Sequence, residues 1–397
     1  MGKNMLKKFL CACCLISLPL SLFSNDTAGT ILPTGGVVFE KQDGIKMKTE
    51  ALYIRPGQIE VNYLFKNTTD KDITTQIFFP LPDMPAVEEY LGDEAHDYHF
   101  KLWVNGKPKT YQTHWAVIQN NQDITSDVSI LFYRLEEVIT DRELAQRIQT
   151  LPDETRTKLQ DKKIIEWGWA LDRKNGEIQT WKMPDDAAWQ KQISYSWQQT
   201  FPARQTIAVR HTYTPTAIYN NEGTPFSSCI NRKDEEYQKF IYIPENESKK
   251  YWPHLRARNY LEYILTTANN WQGSIESFNL LVESPLKSAG CFDNEEFYAE
   301  QYYAVNRHNY TPRGDLSVDF IVKEDISHNY APKSNPVLYR IDGPANLRDK
   351  PNGKITAQLA DKTYVWVWPD EKRGKWYPVR QNESVGYTHA NNLIKVF

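Results

Sequence analysis

The sequence predicts a mainly β protein: an antiparallel β-sandwich-like domain with a small helical insertion, followed by a smaller sheet-built unit. Three observations carry this. Aromatic residues make up 13% of the 397, with 12 Trp and 23 Tyr, which suits sheet packing better than a helical bundle. Apolar residues alternate with polar ones in most periodic segments, and short turns separate them. Helical spacing is confined to one stretch in the middle of the chain. A hydrophobic fraction of 40% against 24% charged supports a packed core. The length allows two or three domains at ~150 residues each.

The first element is an address. Lys3, Lys7 and Lys8 precede an apolar run from Phe9 to Phe23, broken by Pro19. This is the layout of a signal peptide over residues 1–24, and it is short for a spanning helix. An uncleaved anchor is the alternative. A lipobox around Leu10-Cys11-Ala12-Cys13 is rejected, because cleavage there would leave a hydrophobic tail on the product. No later run approaches the ~20 apolar residues of a spanning helix, so no transmembrane segment is expected after cleavage. The whole chain has 47 basic and 50 acidic residues; losing three lysines leaves 44 against 50, a balance of −6. That excludes the basic character of a nucleic-acid binder.

Strands follow. Gln58 to Lys66 alternates Ile59, Val61, Tyr63 and Phe65 on one face. Asn67-Thr68-Thr69-Asp70 turns the chain, and Ile73 to Phe79 returns until Pro80, Pro82 and Pro85 stop it. Phe100, Leu102 and Val104 lead into the hairpin dipeptide Asn105-Gly106. Thr140 to Glu143 matches a capping box, with Leu144, Ile148 and Leu151 on one helical face and Pro152 ending the helix before a shorter one through Leu159. Ile193 to Phe201 alternates again, Pro202 to Gln205 turns, and Ile207 to Tyr213 comes back. Further strands are expected at Leu261–Thr266, Phe278–Glu283 and Leu316–Val322. This β-rich domain spans 25–325. A polar stretch with two prolines, 326–335, reads as a linker to a unit over 336–397.

Two cysteines remain after cleavage, Cys229 and Cys291, and two thiols in an exported chain most simply form one disulfide. The rival, a cysteine nucleophile with His211 or His254 as base, is opposed by the even count and the oxidising compartment. The best metal candidates are Asp93, His96, Asp97 and His99 in a loop before Phe100, with a solvated loop as the plainer reading. His211 holds an alternating strand position and reads as a core histidine. The acid pairs Asp185-Asp186 and Glu235-Glu236 are adjacent residues in loops, unlike the separated carboxyls of a glycosidase. Trp167, Trp169, Trp181 and Trp189 could stack sugars, but such residues more often pack an insertion onto its sheet. No phosphate loop, zinc-protease or serine-hydrolase motif is present, no cofactor is expected, and the reading leans against an enzyme.

The C-terminal text carries a denser pattern: Asn346-Leu347-Arg348, Pro351-Asn352-Gly353, Val365 and Val367 at spacing two, Trp376-Tyr377-Pro378-Val379, Gly386-Tyr387 and Leu393. It resembles a bacterial SH3 (SH3b) domain, which implies a small SH3-like β-barrel. Tyr387 and Thr388 depart from the family's usual tryptophan and valine. If Val365 and Val367 face the barrel core, Tyr364, Trp366 and Trp368 face the other side. That face, with Tyr387, is the candidate binding surface; the alternative is packing against the large domain. The resemblance implies a peptidoglycan peptide as ligand, an envelope protein being the other partner considered.

The large domain has its own likeness. Val61-Asn62-Tyr63-Leu64-Phe65, Phe79-Pro80-Leu81-Pro82, Trp197-Gln198-Gln199-Thr200-Phe201-Pro202, His211-Thr212-Tyr213-Thr214-Pro215 and Tyr263-Ile264-Leu265 occur in an order that resembles the exported bacterial domain of unknown function 4424. This resemblance implies export into the periplasm of a Gram-negative bacterium and brings no activity. Together these readings give an exported, non-enzymatic cell-envelope protein whose SH3b unit binds a wall peptide or a partner. The alternatives are a wall hydrolase targeted by its SH3b unit, or an SH3b unit that docks only onto its own large domain.

Overall fold

The computed structural model describes residues 26–31, 37–87, 98–172, 176–215, 218–219, 229–230, 257–322 and 332–397. The predicted signal peptide, most of the linker, His254, Glu235-Glu236 and the metal candidates Asp93, His96 and Asp97 lie outside the described residues.

The described residues are mainly β, in four large sheets and one hairpin. An N-terminal sheet has Gln112–Gln119, Gln190–Phe201, Ile73–Pro80 and Thr27–Ile31 as neighbours in that order. A central sheet runs Tyr302–Tyr310, Ile275–Glu283, Ile45–Arg55, Gln58–Asn67, Thr206–Tyr213 and Lys101–Val104. A third sheet is built on Ala257–Tyr263, Leu316–Val322 and Lys287–Phe292. Strands from Val337–Ile341 to Leu393–Lys395 make a fourth, a half-barrel of their own. Among the described strands, pairing is antiparallel except for Ile45–Arg55 with Ile275–Glu283, which run parallel; the isolated bridges Gln42–Trp271 and Val87–Ile139 are parallel as well. That strand pair is reached by a long excursion of the chain, the only way parallel neighbours can be joined.

The first three sheets close on one aromatic core. Ile59, Val61, Tyr63 and Phe65 point inward from the central sheet and meet Phe79, Tyr195 and Trp197 of the N-terminal sheet and Leu261, Tyr263, Val318 and Phe320 of the third. The alternation of Gln58–Asn67 is complete, buried at every second residue. The helical insertion has a separate core, where Leu144, Ile148 and Leu159 pack with Trp189. Its first long helix, Asp141–Thr150, starts on the expected capping box: Thr140 Oγ1 accepts from the Glu143 amide at 3.2 Å, and Glu143 Oε2 accepts from the Thr140 amide at 2.8 Å.

Three local expectations change in the structure. The turns after Asn67 and after Phe201 are corners between sheets, not hairpins. Gln58–Asn67 pairs with Thr206–Tyr213 in the central sheet, whereas Ile73–Pro80 pairs with Gln190–Phe201 in the N-terminal sheet. The two corners lie side by side, with the Ala203 amide donating to Asp72 Oδ1 at 2.8 Å and Arg204 Nε donating to Asp70 Oδ1 at 2.7 Å. Alternation and turn residues mark where a strand ends but not which sheet receives the next one. The strand expected at Leu261–Thr266 instead runs Ala257–Tyr263. Asp315 Oδ1 accepts the Leu265 and Thr266 amides at 2.9 and 3.0 Å, which winds that end into a short turn. The Asn105-Gly106 hairpin forms as read, both residues at positive φ (49° and 74°).

The central sheet is covered on both faces. Leu52, Ile54, Leu280, Val282 and Val305 enter the main core. Their neighbours Ala51, Tyr53, Leu281 and Ala304 point the other way and meet the half-barrel. This explains the near-continuous apolar runs in Ile45–Arg55 and Ile275–Glu283, which one-sided strands do not need.

Candidate functional site

The half-barrel wraps a small core of Ile341, Ala345, Leu347, Leu359, Val365, Val367 and Val379. Its strand Ser384–His389 crosses so close to the one containing Leu347 that a Cβ on Gly386 would stand 2.5 Å from the Arg348 carbonyl oxygen, so only glycine fits there. The strand Tyr364–Val367 divides as the alternation requires. Val365 and Val367 turn inward, while Trp366 and Trp368 turn out onto the central sheet.

Of the two readings of that outer face, packing against the large part of the chain is the arrangement observed. Trp366 is 2% exposed and Trp368 7%, so neither is an open platform for an outside ligand. Trp366 lies 6.4 Å from the Tyr53 ring, and Trp368 meets Tyr302 edge-on at 5.4 Å. Each indole buried in this way contributes roughly 4–6 kcal/mol of gross apolar burial. Polar contacts fix the register. Asn382 Oδ1 accepts the Asn306 amide at 2.8 Å, and Asn306 Nδ2 donates to Asn279 Oδ1 at 2.6 Å. The other two residues of the expected surface are half-buried: Tyr364 packs at the edge of this contact, and Tyr387 sits on a different strand with the Arg373 guanidinium 5.4 Å from its ring.

Beside the tryptophans the junction opens into a groove of about 500 Å³. Its floor is aromatic, Tyr302 and Trp368, with the Arg380 guanidinium 5.1 Å from the Tyr302 ring. Two acids, Glu283 and Glu371, and two bases, Lys333 and Arg380, line it. Ser334 Oγ donates to Glu371 Oε1 at 2.6 Å, and the Tyr53 hydroxyl donates to Glu283, so both carboxylates are held in place. Burial, with Glu283 and Glu371 nearby, pushes the Tyr302 hydroxyl up to about 12, which keeps it a hydrogen-bond donor at neutral pH. Burial also draws Arg380 below its ordinary value, from so high a start that it stays charged. The arrangement suits a ligand with both signs of charge and some apolar body. Sequence reading missed Glu283, Tyr302 and Arg380. The doubly apolar runs of the central sheet were the available signal that something covers its outer face.

The family model for a domain of unknown function, DUF4424, matches residues 24–318. The chain belongs to the DUF4424 family. The groove of this DUF4424 protein straddles the end of the match: Glu283 and Tyr302 lie within it, Lys333, Trp368, Glu371 and Arg380 beyond it. No curated protein matches the chain. Among solved structures, a Legionella pneumophila protein described as a "putative nutrient binding protein" is similar at 16% identity, covering 77% of this chain and 73% of that one with a TM-score of 0.36.

The remaining expectations find these places in the DUF4424 fold. Cys229 and Cys291 form a disulfide with a Cα–Cα distance of 5.9 Å. His99 is exposed, and among the described residues no group of acids, histidines and cysteines could hold a metal. His211 is fully buried in the main core, stacked on Phe79 at 4.8 Å with its Nε2 2.9 Å from Asp26 Oδ1. Burial raises the Asp26 carboxyl, and His211 opposes the rise. Asp185 is an exposed partner of Lys182. Trp189 packs the helical insertion as expected, but Trp167 and Trp169 are 49% and 60% exposed on the hairpin Glu166–Asp172. Trp181, on the partner strand Gly176–Lys182, packs against the insertion core, so the packing reading holds for Trp189 and Trp181 and not for the exposed Trp167 and Trp169. Among the described residues no helix is long and apolar enough to cross a membrane.

Proposed function

We propose that this DUF4424 protein is an exported, non-enzymatic binding protein of the cell envelope. It takes a short peptide carrying both amino and carboxylate groups in the groove between the central sheet and the half-barrel. The supporting observation is the groove itself: an aromatic floor between two fixed acids and two bases, at a junction where ligand sites commonly form. The wall stem peptide is the class that the SH3b resemblance of 336–397 implies, and its alternating amino and carboxylate groups suit this lining. Export is supported by the layout of residues 1–24 and by the Cys229–Cys291 cross-link, which suits an oxidising compartment. The half-barrel in this reading is one wall of a site and not a free adaptor, because its tryptophans are already engaged.

The test uses the full chain, since a half-barrel fragment would expose Trp366 and Trp368. Calorimetric titration with a soluble stem tetrapeptide, alongside co-sedimentation with purified peptidoglycan, should show saturable binding. Arg380→Ala or Glu371→Gln should weaken it tenfold or more. A wild-type protein that neither binds the peptide nor sediments with the wall would leave the junction a purely structural contact.

A further inference from the structure

A second pocket lies away from the junction, where the chain after Ile73–Pro80 meets the third sheet. It is small, about 70 Å³, and mostly apolar. Its walls include the rings of Tyr98, Tyr213 and Tyr260 and the side chain of Met84. Two carboxylates line it, Asp83 and Glu262, and no Lys, Arg or His is among its described lining residues. Asp83 Oδ2 accepts from Gln192 Nε2 at 3.3 Å. Glu262 is exposed, and the Tyr260 hydroxyl donates to its Oε1, which fixes it there. The Tyr98 hydroxyl donates to Met84 Sδ at 3.4 Å. Tyr213 is 2% exposed, and its hydroxyl has no hydrogen-bond partner among the described residues.

Two acids around an aromatic pocket, with no base among its described lining residues, favour a positive charge there. A small cation with N–H donors and a short alkyl part suits this lining. Its charge meets Asp83 and Glu262, and its alkyl part contacts Met84 and the ring faces. A divalent metal would want six or more oxygen ligands, which walls of tyrosine rings and proline do not offer. The volume admits a head group and not a bulky ligand. We propose that this pocket binds a small primary ammonium group, held by Asp83 and Glu262 and enclosed by Tyr98, Tyr213 and Tyr260.

The binding should depend on pH. The groups facing Asp83 are Glu262, the three tyrosines and Gln192, and burial holds its carboxyl near neutrality, at about 7. The cation needs the ionised form, so affinity should rise as pH goes from 6 to 8, well below the ammonium's own titration.

Calorimetric or NMR titration of the full chain tests this at constant ionic strength. Ethylammonium chloride probes a free amine, N-acetyl-lysine methylamide probes the same group on a longer chain, and 1-propanol and calcium chloride serve as comparisons. Saturation by ethylammonium would assign a free amine; saturation by the lysine derivative alone would assign a chain-borne one. In either case Asp83→Asn should weaken binding at least tenfold and Glu262→Gln about threefold. Glu262 is exposed, so its variant reports even if Asp83→Asn folds poorly. Absence of saturation by both amines, equal binding of 1-propanol, preferential binding of calcium, or an unchanged affinity in Glu262→Gln would overturn the proposal.

Discussion

The half-barrel has two hydrophobic contacts, and they differ in kind. Its own core is aliphatic, built from Ile341, Leu347, Leu359, Val365, Val367 and Val379. Its contact with the central sheet is aromatic, built from Trp366 and Trp368 against Tyr53 and Tyr302, with Leu338 and Leu281. The half-barrel gives its core seven buried residues and the junction three, Leu338, Trp366 and Trp368, but those three include its two buried indoles. Small sheet-built units of ~60 residues are marginal alone. The comparison teaches that the tandem tryptophans belong to the stability of the whole chain.

Variants can break or sharpen that contrast. The largest effect is expected from Trp366→Ala and Trp368→Ala, at about 3–5 kcal/mol each in the free energy holding the junction. Differential scanning calorimetry should then resolve a separate, earlier transition for the half-barrel, whereas a single unchanged transition would place little of its stability in the junction. Removing the cross-link with Cys229→Ser and Cys291→Ser should cost up to roughly 4 kcal/mol for a closed loop of 62 residues. Denaturant titration should assign that loss to the large part of the chain and leave the junction intact. Leu347→Ala, in the aliphatic core, should cost about 3 kcal/mol. It should lower the half-barrel's transition without releasing the tryptophans, which near-ultraviolet circular dichroism would read.

The smallest effect concerns pH. Burial is the main cause that lifts Asp83 from 3.8 to about 7; the Gln192 hydrogen bond opposes it and Glu262 adds to it. The folded state therefore holds this proton more tightly than the unfolded chain. The contribution of Asp83 to stability is greatest below pH 4, falls as pH rises toward 7, and levels off above. The loss is on the order of 1–2 kcal/mol once solvent screening is allowed for. Asp83→Asn should flatten the slope between pH 5 and 8 in urea unfolding, with the half-barrel's transition unmoved.

Much of this fold was legible where one residue sets one local event. Thr140 and Glu143 announce a helix start, Asn105-Gly106 a hairpin, and Ile59 to Phe65 one buried face. The split of Val365 and Val367 from Trp366 and Trp368 was readable from period two alone. What the tryptophans face was not readable, because that depends on Tyr53 and Leu281, hundreds of positions earlier or dozens away on strands whose neighbours are set by topology. The corners at Asn67 and Pro202 failed for the same reason. Asp83 and Tyr213 looked unremarkable in sequence, since a pocket joins residues that no spacing rule connects.

The central claim is that the tandem tryptophans are covered by the central sheet in the intact protein. Hydroxyl-radical footprinting of the full chain, read tryptophan by tryptophan by mass spectrometry, tests it with internal controls. Trp366 and Trp368 should be protected like Trp189 and Trp271, which are 1% exposed, while Trp167 and Trp169 are oxidised rapidly. Oxidation of Trp366 and Trp368 at the rate of Trp167 and Trp169 would contradict the account.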